Sequence, residues 1–115
     1  KDKRWNNQFR FVEYSKKITA SYMVLPILID KKFFYKKKKF ISFLEKSGLE
    51  TRPIISGSFV NQPSSKLYNL NPDNKQFRGA QEIQDLGFVI GLHTKSIKIP
   101  KVKFIVDLLF SIDTI

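Results

Sequence analysis

The sequence has no cysteine, which excludes disulfides and thiolate zinc sites and fits a reducing, cytoplasmic setting. It has one histidine, His93, with no visible metal partners. Its five glycines (Gly48, Gly57, Gly79, Gly87 and Gly91) are too dispersed for a loop that cradles phosphate. Long hydrophobic runs are also missing. The longest, Tyr22–Ile29, is strand length and contains Pro26, far short of the roughly 20 apolar residues that span a bilayer. Residues Lys1–Trp5 carry neither an initiator Met nor the apolar core of a signal peptide, so an excised piece of a longer protein is expected. No pair of carboxylates sits on a recognisable scaffold. The chain is therefore expected to hold no catalytic residue and no metal of its own.

What is present is globular. Of 115 residues, 42% are hydrophobic and 14% aromatic, eleven of them Phe; this suits one modest core rather than a disordered chain. Acidic residues are outnumbered, 10 against 21 Lys and Arg, for a net charge of +11. Such a charge attracts phosphate-rich partners, whether nucleic acid or nucleotide-linked substrates. It is explained most simply by composition, since Lys, Asn, Ile, Phe and Tyr are abundant together, as codon bias toward A and T would make them.

The pattern predicts an α+β fold: a small, mostly antiparallel three-stranded sheet covered by helices. Residues 1–20 read as a polar lead-in from a preceding domain, and 21–115 as the domain itself. A first strand is expected over 21–29, with Pro26 marking an edge or a bulge. Asp30 should cap a helix over about 31–47, with Phe33, Phe34, Phe40, Ile41 and Leu44 inward and Gly48 ending it. A second strand is expected over 49–55. A long Ser/Asn/Pro/Gly-rich segment follows over 56–78, with a short helix near 63–68. Residues 80–86 predict a helix with Ala80, Ile83 and Leu86 on one face. The third strand is expected over 88–93. Pro100, at a helix N1 position, opens a last helix whose buried stripe is Val102, Ile105, Val106, Leu109 and Ile112.

Segment 48–63 carries the most chemistry. Arg52 beside the rigid Pro53 offers a planar fork for phosphate or carboxylate. Ser56, Ser58 and Asn61 offer hydroxyl and amide groups, and Gly57 allows close backbone approach. An ordinary strand end with turn residues accounts for the same residues equally well. Phe59 and Tyr68 stand apart from the core-facing Phe positions. They are the aromatics that a freestanding nucleic-acid-binding module would use together with Lys36–Lys39, although no recognised nucleic-acid-binding signature occurs.

These residues also resemble a known family. The helix ending in Ser47 and Gly48, then Leu49–Ile54, Ser56–Phe59 and Asn61–Pro63, is similar to the C-terminal domain of the DegT/StrS nucleotide-sugar aminotransferases and sugar 3-dehydratases. Gly79–Ile83, Gly87–His93 and Ser21–Leu28 extend the resemblance over about residues 15–113. It implies the small domain of a type I aminotransferase fold in a homodimer with active sites at the subunit interface. A separate large domain would hold pyridoxal phosphate or pyridoxamine phosphate, with a Schiff-base lysine in the aminotransferases and a histidine in the dehydratases. The Glu50–Ile54 and Ser56–Phe59 forms look closer to the dehydratase-like, lipopolysaccharide-type members. By this resemblance Arg52, Ser56, Ser58, Phe59, Asn61 and His93 lie at or near the nucleotide-sugar substrate, and the partners are that substrate, the chain's own large domain and a second subunit. The chain departs from the family pattern at Arg78 and Gly79, where Pro-Asn is common. Gly79 would then cap the short helix without a side chain.

Overall fold

The computed structural model describes residues 2–54, 57–73 and 75–115. The fold is α+β, and its sheet has four strands, not three. They are β1 (Phe9–Phe11), β2 (Val24–Ile29), β3 (Thr51–Arg52) and β4 (Gly87–Gly91), in spatial order β1-β2-β4-β3, antiparallel throughout. The additional strand comes from the lead-in: β1 pairs Phe9 with Ile29 and Phe11 with Ile27. Three residues among polar neighbours show no alternation that a sequence pattern can register. Tertiary pairing alone makes them a strand.

Pairing also explains Pro26. It lies opposite Val89 of β4, but on its other side β1 has already ended at Phe11, opposite Ile27. At that point the central strand β2 is locally an edge, where a missing N–H is tolerated.

The register assigns the two faces of the sheet. Phe9, Ile27, Ile29, Phe88 and Ile90 form one core with Phe33, Phe40, Leu44, Leu86, Leu109 and Ile112. The opposite face carries Arg10, Pro26, Leu28, Val89 and, by the pairing of Thr51 with Ile90, Arg52.

The expected first helix is a 3₁₀ turn over Lys31–Lys36 continuing into α1 (Lys37–Lys46). Asp30 caps it as expected, its carboxylate accepting from Lys32 N at 3.0 Å. Gly48 closes it with φ +87° while its N–H donates to Glu45 O, the left-handed geometry that glycine adopts at least cost. Phe33, Phe40 and Leu44 are buried, but Phe34 is 55% exposed. The tighter 3₁₀ winding turns Phe34 away from a face computed for an α-helix.

The second strand is shorter than 49–55. Pro53 follows β3 directly, and Ile55 lies outside the described residues. A 3₁₀ turn over Pro63–Tyr68 matches the expected short helix. Helix α2 spans Arg78–Leu86, entered from a 3₁₀ turn over Lys75–Phe77. Gly79 is therefore inside the helix rather than its cap. Of its expected apolar face Leu86 is buried, whereas Ile83 is exposed.

Helix α3 spans Ile99–Phe110 with a proline in its first turn. Only the end of its expected stripe is covered: Leu109 and the following Ile112 are buried, while Ile105 and Val106 are half-buried and Val102 is exposed. Its first turns leave Ile99, Val102 and Phe104 exposed among the described residues. Among the described residues no helix is long and apolar enough to cross a membrane.

Candidate functional site

The predicted site residues do not share one place. Arg52 stands on the face of the sheet away from α1, its guanidinium largely exposed and its Nε donating to Glu50 Oε1 at 3.0 Å. Thr51 points the other way and donates from Oγ1 to Glu45 Oε1 of α1 at 2.8 Å. This alternation is what displays Arg52 to solvent. An exposed pair such as Arg52–Glu50 is weak, so the guanidinium can exchange partners at little cost.

Beyond Pro53 the chain returns against α2. Pro53, Ile54, Gly57, Asn61, Gln62 and Gln84 line an open cleft of ≈460 Å³. Ser56 lies outside the described residues. Ser58 is 0% exposed. Its N–H donates to Gln84 Oε1 at 2.8 Å, and its hydroxyl has no hydrogen-bond partner among the described residues. Ser58 thus faces the protein interior and not the solvent side of the loop. Asn61 Nδ2 donates to Gln81 Oε1 at 2.7 Å and to Gln84 Oε1 at 3.2 Å. Phe59 is exposed and meets Tyr68 edge to face, ring centroids 6.0 Å apart.

His93 belongs elsewhere. It follows β4, with Nδ1 accepting from Lys95 N at 3.0 Å. The loop packs near the start of β4, at Gly87, where a Cβ would meet Ile54 Cδ1. Six residues of extended chain separate Gly87 from His93, about 20 Å along the strand direction. The structure therefore brings Ser58 and Asn61 together on Gln84 of α2, with Phe59 between them in the chain, while Arg52 stands beside Val89 in the middle of β4 and His93 lies beyond the far end of that strand.

Sequence reasoning missed the anchors of this loop, Gln81 and Gln84. Their spacing of three on a helix puts them on one side of α2, and that polar spacing was readable. What the sequence could not show is that the loop folds back onto it. A second missed residue is Lys37, whose Nζ donates to Gln84 O at 2.9 Å and so satisfies a carbonyl in the last turn of α2. Burial lowers the Lys37 pKa below its ordinary value, with Asp85 opposing the shift.

A second cleft, ≈560 Å³, lies between the first 3₁₀ turn and α2, lined by Lys31, Phe34, Arg78, Gln81, Glu82, Asp85 and Leu86. Its Glu82 is already engaged by Arg10 at 2.6 Å and Lys31 at 3.7 Å. Neither cleft offers what a pyridoxal cofactor needs. The smaller has no cation among its lining residues, and the larger has its carboxylates beside its cations. Among the described residues no group of three His, Cys, Asp or Glu side chains is placed to hold a metal. No protein-family model matches the chain, and no curated protein matches it.

Proposed function

We propose that the chain is the small C-terminal domain of a pyridoxal-phosphate-dependent enzyme acting on nucleotide-linked sugars, of the DegT/StrS aminotransferase and dehydratase type. In this reading it helps to close the sugar-nucleotide site. The observation that carries the proposal is the open cleft lined by Pro53, Ile54, Gly57, Asn61, Gln62 and Gln84. That cleft falls in the segment where the resemblance puts the substrate, and the same segment exposes Arg52 and Phe59 to solvent.

Surface area supports a role within a larger body. The chain exposes 9000 Å² at 13.5 kDa, against about 6,500 Å² for a compact monomer of that mass. Its radius of gyration is 16.1 Å, against about 13 Å for a compact chain of this length. The excess, about 2,500 Å², is of the order that large permanent interfaces bury. The uncovered first turns of α3 contribute to it.

The contribution of this domain would be positional: Arg52 fixes an anionic group and the loop excludes water and orients the sugar. In this reading the cofactor would supply the carbanion chemistry and the large domain would hold it, as the resemblance implies. The nucleic-acid reading gains little from the fold. Two amines of its lysine run are spent on carbonyls, Lys37 on Gln84 O and Lys39 on Ile115 O.

The test is the coding sequence upstream of Lys1. An in-frame cofactor-binding domain, with Lys or His at the Schiff-base position, is the expected result. A stop codon or an unrelated domain there sinks the proposal, as does transaminase or dehydratase turnover by the purified chain alone.

A further inference from the structure

We infer that the side-chain carbonyl of Gln84 is a clamp that sets the shape of the loop from Gly57 to Asn61 and so presents Phe59. Gln84 is thus a positioning residue for the ligand-facing loop, and the functional part of the inference rests on the reading of that loop given above.

Two donors converge on one oxygen. Gln84 Oε1 accepts from Ser58 N at 2.8 Å and from Asn61 Nδ2 at 3.2 Å. Gly57 has φ +56°, a conformation that calls for glycine, and a Cβ there would lie 2.8 Å from the same oxygen, so the end of the Gln84 side chain would have to move. The clamp itself is held from behind by Lys37 Nζ on Gln84 O.

The two donors are not equally dependent on Gln84. Asn61 keeps a second and shorter bond to Gln81 Oε1 at 2.7 Å. Gln81 is in turn oriented by donating from Nε2 to Asp85 Oδ1 at 2.9 Å. Ser58 is fully buried, and its hydroxyl already lacks a partner among the described residues. The Ser58 N–H has Gln84 Oε1 as its acceptor, so loss of the clamp takes that acceptor away from a buried residue. The loop should therefore loosen at Ser58 and Phe59 while Asn61 stays docked.

The decisive experiment is amide hydrogen exchange of the full chain, resolved by residue. Gln84→Ala should speed exchange of the Ser58 amide by about tenfold. Gln84→Glu keeps an acceptor oxygen of the same reach and should restore protection. Gly57→Ala drives a methyl group at that oxygen and should speed exchange even if Gln84→Ala fails to fold. Unchanged Ser58 protection in Gln84→Ala or in Gly57→Ala overturns the clamp, as does Gln84→Glu exchanging as fast as Gln84→Ala. Titration with uridine diphosphate then separates the two claims. Amide shifts at residues 57–61 in the wild type, weakened in Gln84→Ala and recovered in Gln84→Glu, support both. Shifts equal in all three proteins overturn the positioning role. A wild type that does not respond to uridine diphosphate counts against the nucleotide reading, while exchange still decides the clamp.

Discussion

Helices α1 and α3 are both rich in Phe, Ile and Leu, yet they end in different circumstances. In α1, Phe40 and Leu44 lose all solvent contact against Ile27, Phe88 and Ile90 of the sheet. In α3, Ile99 remains 83%, Phe104 51% and Val102 44% exposed. The difference is one of placement. Helix α1 packs its apolar side on the sheet, whereas the first turns of α3 leave much of theirs in solvent. Apolar sequence supplies the drive for burial, but burial also needs a surface within reach. An uncovered apolar helix of this kind is where a neighbouring body would dock.

Four experiments would break or sharpen that contrast. The largest effect is expected at Phe40, which packs edge to face on Phe88 at 6.1 Å and stacks on Phe9 at 6.2 Å. Phe40→Ala should cost about 3–5 kcal/mol, read as a collapse of the denaturation midpoint. A loss no greater than that of a surface substitution would refute the described core.

Gly87→Ala comes next. A Cβ there would strike the carbonyl of Ile83 and Ile54 Cδ1. The carbonyl is backbone and cannot step aside, so a loss of about 1–3 kcal/mol is expected from overpacking. Wild-type stability in this variant would show that α2 does not meet β4 as described.

A smaller effect concerns pH. The folded pKa of Lys37 lies below its ordinary value of 10.5 because burial penalises the charged amine. The folded state therefore releases this proton first as pH rises. The contribution is fully present above 10.5 and is lost as pH falls through the lowered folded value. Thermal melts from neutral pH to 10.5 should show a steeper rise for the wild type than for Lys37→Met, and parallel curves would remove Lys37 as the cause.

The smallest effect on stability is expected at Phe104. Phe104→Ser should shift folding by no more than about 0.5 kcal/mol, yet reduce self-association in sedimentation measurements. A marked fall in stability would mean that α3 is covered after all.

The legible parts of the fold were those governed by neighbours in sequence. Asp30 capping its helix and Gly48 ending another turn of chain depend on a few adjacent dihedral angles, and both stand where the pattern put them. The 3₁₀ turn over Pro63–Tyr68 is of the same kind. Strand β1 was not legible, because Phe9–Phe11 become a strand only when Ile27–Ile29 pair with them. Nor was the exposure of Phe34, which depends on whether the turn winds as α or 3₁₀. In the candidate site, the chemistry of Arg52, Phe59 and Asn61 was readable as residue types. The role of Gln84 was not, because Ser58 and Gln84 are 26 residues apart in sequence and meet only when the loop folds back.

By itself the sequence determined the α+β class, the Asp30 cap and Gly48 break of the first helix and the list of groups able to bind a ligand, because these follow from local dihedral preference and side-chain chemistry. Tertiary structure alone decided the fourth strand, the docking of Ser58 and Asn61 on Gln84, the separation of His93 from that loop and the exposure of α3. Each of these depends on which distant segments come into contact, and the energy of a contact exists only once both partners are in place.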